Sequence, residues 1–171
     1  MSPWKAALPG DHLDQIDTPA LILNLDAFER NMHRLQDALS GTGVRLRPHA
    51  KSHKCPDIAL RQIQVGAVGI CCQKVSEAAV FVEAGVQDIL ITNQVVGDKK
   101  VAHALDLAKR ARIGILVDHE DQVSAFSRAS NERQIRNDVY KEIAVGMGRC
   151  GVASTERTVS MARQIDQAPY L

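Results

Sequence analysis

Lys51 lies in the stretch Val44-Arg45-Leu46-Arg47-Pro48-His49-Ala50-Lys51-Ser52-His53-Lys54, where its neighbours give it chemical interest. Val44 and Leu46 alternate with Arg45 and Arg47, the period of a half-buried strand, and Pro48 stops that strand just before the lysine. A lysine amine attacks a carbonyl only after losing a proton, and nearby positive charge plus burial favours that loss. Arg47, Lys54 and a protonated His49 or His53 are the cations this stretch would supply. The same residues also read as a solvated basic loop after an edge strand, and the local sequence leaves both open. His49 and His53 are four apart, but Pro48 opposes a helix there, so no two-histidine metal site is expected.

A second stretch, Gly146-Met147-Gly148-Arg149-Cys150-Gly151, places glycines around one arginine. Backbone without Cβ atoms can approach a flat ligand closely while Arg149 offers a fixed positive charge. A glycine-rich turn with a solvent-facing arginine is the plainer alternative.

The elements that must position these groups follow a repeating phrase. A loose leader, residues 1–16, precedes Asp17-Thr18-Pro19 and the apolar run Ala20 to Leu25. Asp26, with Glu29 three positions on, has the spacing of a capping box for a helix whose apolar face is Phe28, Met32, Leu35 and Leu39. Strands are expected at Val44–Arg47, Val68–Cys72, Ile89–Thr92, Ile113–Val117 and Tyr140–Val145, with helices between them. Asp118 is expected to cap the helix carrying Val123 and Phe126, and Ser127 to Asp138 to be loop or ragged helix. Val159, Ala162 and Ile165 are expected to face inward from the last helix. Strand starts recur every ~21–29 residues, and short apolar strands alternating with helices mean a parallel sheet.

No Gly-rich dinucleotide fingerprint follows the first strand. The fold expected is therefore α/β, a (β/α) TIM-type barrel with about six βα units, incomplete against the usual eight. Reactive groups of such barrels stand at the C-terminal ends of strands. That rule selects His49, Lys51 and His53, then Gln73 and Lys74, Asn93 and Gln94, Asp118 and His119, and Gly146 to Gly151.

Composition narrows the partners. With 21 basic and 20 acidic residues the net charge is +1, which gives no general argument for nucleic acid or a membrane surface. No apolar run approaches the ~18–20 residues of a membrane span, and the start of the chain is too polar and broken for a signal peptide. The four cysteines, Cys55, Cys71, Cys72 and Cys150, show no metal-ligand spacing, and adjacent Cys71 and Cys72 would point to opposite faces of a strand. A reduced, cytoplasmic protein is expected.

Taken together, Thr18-Pro19-Ala20, Arg47-Pro48-His49-Ala50-Lys51-Ser52-His53-Lys54, Gly69-Ile70-Cys71-Cys72, Gln73-Lys74-Val75-Ser76-Glu77-Ala78, Asp88-Ile89-Leu90 and Gly148-Arg149-Cys150-Gly151 resemble the D-threonine aldolase and D-serine dehydratase family. The resemblance runs from about Asp17 to Leu171. It implies a pyridoxal phosphate (PLP) cofactor on a barrel of the alanine racemase N-terminal kind, here over residues 17–171. Lys51 would be the catalytic Schiff-base lysine, Arg149 the cation on the cofactor's phenolic oxygen, and His49 and Gln73 further cofactor contacts. The Cys-Cys-Gln-Lys-Val-Ser-Glu run leans toward the aldolase branch, which cleaves D-3-hydroxy amino acids to glycine and an aldehyde. Alternatives are D-serine or D-threo-3-hydroxyaspartate dehydratase, and a non-catalytic PLP-carrying barrel protein.

By the same resemblance the chain is an N-terminal part without the C-terminal β domain. The phosphate loops, divalent-metal ligands and catalytic histidine or tyrosine would lie beyond it. Inactivity of the chain alone is expected, with no metal ligands of its own and, in the whole protein, a possible homodimer.

Overall fold

The computed structural model describes residues 6–171. The chain divides into two compact units, the first ending at Ala38 and the second running from Leu39 to Leu171.

In the first unit a short 3-10 turn, Leu13–Gln15, interrupts the described part of the leader; residues 1–5 of that leader lie outside the described residues. Helix α1, Leu25–Leu39, is capped by Asn24 and not by Asp26. The Asn24 Oδ1 accepts the Ala27 N–H at 2.8 Å, which leaves Asp26 in the first turn, where its charge meets the positive end of the helix. The run Ala20 to Leu25, expected to open the series, forms no strand. A strand exists only through its ladder, and this run has no ladder partner among the described residues.

The second unit alternates helices and strands: α2 Pro56–Gln64, β1 Ile70–Cys72, α3 Val75–Glu83, β2 Asp88–Gln94, α4 Asp98–Ala108, β3 Arg112–Val117, α5 Glu120–Arg133, β4 Asp138–Lys141 and α6 Thr155–Asp166. The strands are parallel and lie in the order β1-β2-β3-β4. Each neighbour follows its predecessor through a helix and the order never reverses, the arrangement of a barrel wall and not of a doubly wound sheet.

Four strands are laddered where six were expected. The segment before Lys51 is a partial ladder: Val68 and Cys71 donate to the carbonyls of Leu46 and Pro48, and Ala50 donates to Cys71. Pro48 has no N–H to return, so regular pairing stops there, with one bridge between His49 and Cys71.

Alternation along the strands builds the core. Ile70, Cys72, Ile89, Ile91, Ile113 and Ile115 face the helices and are fully buried against side chains such as Phe81, Leu105 and Phe126. All four cysteines are free, and burial pushes the Cys72 thiol up to about 12.

Helix and strand boundaries depart from expectation most clearly around α5 and β4. Helix α5 begins after His119, whose Nδ1 accepts the Asp121 N–H, so Asp118 is not its cap. The same helix runs through the polar stretch as far as Arg133, because Phe126 and Ser130 are buried on its inner side, and it closes with Gln134 in the left-handed region. Strand β4 ends at Lys141, four residues earlier than expected. Beyond it the backbone pairs with its own downstream loop, Ala144 donating to Val152 and Val152 to Glu142. Helix α6 buries Met161 and packs Ile165, whereas Val159 and Ala162 turn outward. With so few apolar residues on that helix, its rotation follows the neighbours α5 and β4 that it packs against.

On the sheet face opposite the helices, the N-terminal edge carries a row of alternating charge. Arg47 meets Asp88 at 2.8 Å, Asp88 meets Arg112 at 3.5 Å, and the Arg112 Nε donates to Asp138. Gly69 makes room for this row: a Cβ there would strike the Asp88 carbonyl and come within 2.5 Å of the Arg47 guanidinium.

Candidate functional site

At the opposite, C-terminal edge of the same sheet, a cavity of about 310 Å³ opens. His49, Lys51, Gln73 and Arg149, the four residues singled out from sequence, all line it, together with Thr92, Asn93, Gln94, Leu116, Glu142 and Cys150. Lys51 follows the partial strand that Pro48 ends, Gln73 follows β1, Thr92 to Gln94 end β2, Glu142 follows β4, and Arg149 rides on the glycine loop.

His49 is held as one tautomer. Its Nδ1 accepts the backbone N–H of Lys51 at 3.2 Å, so the proton sits on Nε2 and is directed at the Thr92 Oγ1, 2.9 Å away. The Thr92 hydroxyl in turn donates to the Cys72 carbonyl at 3.0 Å. Burial, then the charge of Lys51, lowers the pKa of His49, in keeping with a neutral ring. The chain of bonds ties the backbone of Lys51 to β2 and aims every donor the same way.

The cationic neighbourhood expected of Lys51 is therefore not built from its sequence neighbours. Arg47 is paired with Asp88, and Lys54 lies 3.6 Å from Glu77. His53 turns away: its Nδ1 accepts the Cys55 N–H, its ring packs edge-on against Phe81, and burial lowers its pKa. The cation that does share the cavity with Lys51 is Arg149. Lys51 and Arg149 are both exposed.

The remaining polar groups brace one another. The Glu77 carboxylate accepts the Gln73 N–H at 2.9 Å, and the Gln94 amide donates to Glu142. Asp118, displaced from the capping role, accepts the Gly151 N–H at 3.0 Å and so ties the glycine loop to the end of β3. Gly151 has φ +102°, and a Cβ there would come within 2.7 Å of the Ala144 nitrogen, so the loop needs glycine at this point. Asp118, Glu142 and Cys150 bring one ligand-type atom each within 4.8 Å of one another, although no metal ligand was assigned from sequence. Each of the two carboxylates also accepts a hydrogen bond from this chain.

Thr92, Leu116 and Glu142 escaped the sequence reading as lining residues. Thr92 was legible: it shares the face of Leu90, opposite Ile89 and Ile91, at the strand's end. Glu142 was not, because the strand was placed over Tyr140–Val145 and its end therefore at Gly146. Of the other strand-end residues, Asn93 and Gln94 line the cavity, while His119 caps α5 and Lys74 stands elsewhere.

An amine and a guanidinium facing one small cavity can hold a ligand carrying a carbonyl and an anionic oxygen. The chain is 48% identical over 163 residues to D-threonine aldolase of Arthrobacter sp, covering 95% of this chain and 43% of that protein. It is 40% identical over 167 residues to 3-hydroxy-D-aspartate aldolase of Paracoccus denitrificans, covering 96% and 43%. Among solved structures it superposes on D-threonine aldolase from Filomicrobium marinum with a TM-score of 0.90 at 50% identity, over 93% of this chain and 43% of that one. The chain thus spans less than half the length of these relatives. Residues 23–171 match the model of the alanine racemase N-terminal domain, and the chain belongs to that family.

Proposed function

We propose that this chain is the lysine-bearing part of a PLP-dependent lyase that cleaves D-3-hydroxy amino acids to glycine and an aldehyde. The observation that carries the reading is the meeting of Lys51 and Arg149 across one cavity, on a chain about half identical to two D-threonine aldolases. The residues fit the cofactor's chemistry at two of its groups: an amine for the aldehyde, a permanent cation for the phenolic oxygen. PLP, when bound, supplies an electron sink for breaking the Cα–Cβ bond.

The chain's own residues have narrower tasks in this reading. Lys51 offers the amine, with its backbone fixed by the neutral His49 ring, and Thr92 holds that ring in place. Arg149 keeps its charge at any working pH, and the Asp118 tie on Gly151 sets where its loop stands. Gln73 and His49 are taken as further contacts to the cofactor.

The reading extends to the whole protein. A phosphate site, a divalent ion aiding the substrate hydroxyl and a β-rich C-terminal domain are assigned to the part of the relatives' length that this chain does not match. A cytoplasmic location and a homodimer complete it. No helix is long and apolar enough to cross a membrane, among the described residues.

The test is spectroscopic. Purified chain is mixed with PLP, reduced with borohydride, digested and mapped by mass spectrometry. The reading expects one reduced adduct, on Lys51. Labelling spread over many lysines, unchanged in Lys51→Ala, would overturn it. For the reaction itself, a protein of the relatives' length carrying this chain should release aldehyde from D-threonine; a keto acid instead would mark a dehydratase.

A further inference from the structure

A second cavity, about 540 Å³, lies between α3 and α4 on the outer side of the sheet's C-terminal edge. Val75, Val95 and Leu107, all buried, and half-buried Ala79 make an apolar floor. Lys74, Lys100 and His103, all exposed, stand at its rim. Among the described residues the only acid that lines it, Asp106, is engaged by Lys109 at 3.0 Å and Arg133 at 3.3 Å. Neither Lys74 nor Lys100 has an acidic partner among the described residues.

Each part of that lining selects for something. An apolar floor favours an apolar body by removing its surface from water, and the volume falls within the roughly 300–1,000 Å³ of small-molecule pockets. Lysines around a floor with no free acid favour negative charge at one end of the ligand. Gln73, Ser76 and Asn93 add hydrogen-bonding side chains. A nucleotide-sized polyanion suits the cavity poorly, because the floor offers its sugar and base no polar partner.

We infer that this cavity is a binding site for an amphipathic organic anion, a ring-sized apolar body bearing one carboxylate or sulfonate. The site is distinct from the cavity of Lys51 but shares a wall with it: Gln73, Asn93 and Gln94 line both. Gln94 also donates to Glu142 in the mouth, so a ligand pressing on the outer side of Gln94 reaches that pair directly. The inference stands apart from the lyase reading, since none of its rim or floor residues touches the Lys51 cavity.

The experiment is a titration of the isotope-labelled chain with naphthalene-1-sulfonate, followed by amide NMR shifts. The expected result is a saturable shift set confined to Ser76, Ala79, Asn93 to Val95, His103 and Leu107, with the Gln94 side-chain amide moving too. The double variant Lys74→Glu/Lys100→Glu should weaken binding by about tenfold or more, and added salt should weaken the parent in the same direction. Ala79→Leu, which fills the floor without altering charge, should abolish the shifts while the circular dichroism spectrum stays unchanged. Equal affinity in the charge-reversed variant, equal binding of uncharged naphthalene-1-methanol, or shifts scattered outside these residues would each overturn the proposal. PLP trapping on Lys51, measured without naphthalene-1-sulfonate, tests the lyase reading separately, so failure of one reading is distinguishable from failure of the other.

Discussion

The two edges of the parallel sheet carry similar side chains and treat them in opposite ways. At the N-terminal edge, Arg47, Asp88, Arg112 and Asp138 alternate in sign and neutralise one another across neighbouring strands. At the C-terminal edge, Lys51 and Arg149 face the same cavity with no acid among the described residues bonded to either, while Glu142 and Asp118 are occupied by Gln94 and Gly151. A closed row of pairs has nothing left to offer a ligand and serves stability. Cations held beside a cavity without partners gain most from a ligand that brings the missing negative charge. Barrel enzymes keep reactive groups at the C-terminal face and stabilising ones at the other, and this sheet follows that division.

The sharpest way to break the comparison is Lys51→Ala. It should remove the borohydride-trapped PLP adduct entirely and leave the free energy of urea unfolding within about 0.5 kcal/mol of the parent, as expected of an exposed side chain. Asp88→Ala is the converse. It strips two arginines of their shared partner, and with part of the pair open to water the loss should be about 1–2 kcal/mol, a fall of about 2–8 °C in Tm. Trapping on Lys51 should survive that substitution when measured well below the lowered Tm; a chain that loses both properties together would show that the two edges do not act separately.

A smaller effect separates His49 from its support. Thr92→Val removes the oxygen that accepts the His49 proton, costs about 1 kcal/mol of stability, and should raise the PLP concentration needed for half-maximal trapping severalfold. Thr92→Ser, which restores the hydroxyl, should recover most of it.

The smallest effect is one of pH. His49 and His53 both have folded pKa values below their ordinary 6.5, so the unfolded chain takes up protons first as pH falls. Their contribution is complete above 6.5 and is lost as pH drops through the folded values, so the urea midpoint should decline between about pH 7 and 5. Glu120, drawn down to about 2 by Arg157, contributes above 4.5 and loses that only in stronger acid, which leaves the higher window to the histidines. His49→Asn/His53→Asn should flatten the slope; an unchanged slope would contradict the neutral-ring assignment.

Much of the second unit was legible along the chain. Helices α2 to α4 and the cores of β1 to β3 follow from apolar period, Pro56 at a helix start and glycines at helix ends, all of which are local features. The rule that chemistry gathers at strand ends then brought together Lys51, His49, Gln73 and the Arg149 loop without coordinates. It failed where a boundary was misjudged. Placing β4 four residues too far along hid Glu142, and reading Asp118 by its position before a helix hid its bond to Gly151.

The sequence by itself determined which residues alternate, that the segment before Lys51 stops at Pro48, and which side chains are able to react. Pro48 ends its segment because it has no N–H, whatever surrounds it, whereas the need for glycine at Gly151 also comes from the Ala144 backbone packed against it. Only the tertiary structure decided which charges are spent and which remain available. Arg47 and Lys54 are close to Lys51 in sequence yet are neutralised by Asp88 and Glu77, whereas Arg149, from the far end of the chain, shares its cavity. Pairing depends on distance through space across parallel strands, and each βα unit separates neighbours in space by 19 to 24 residues of chain.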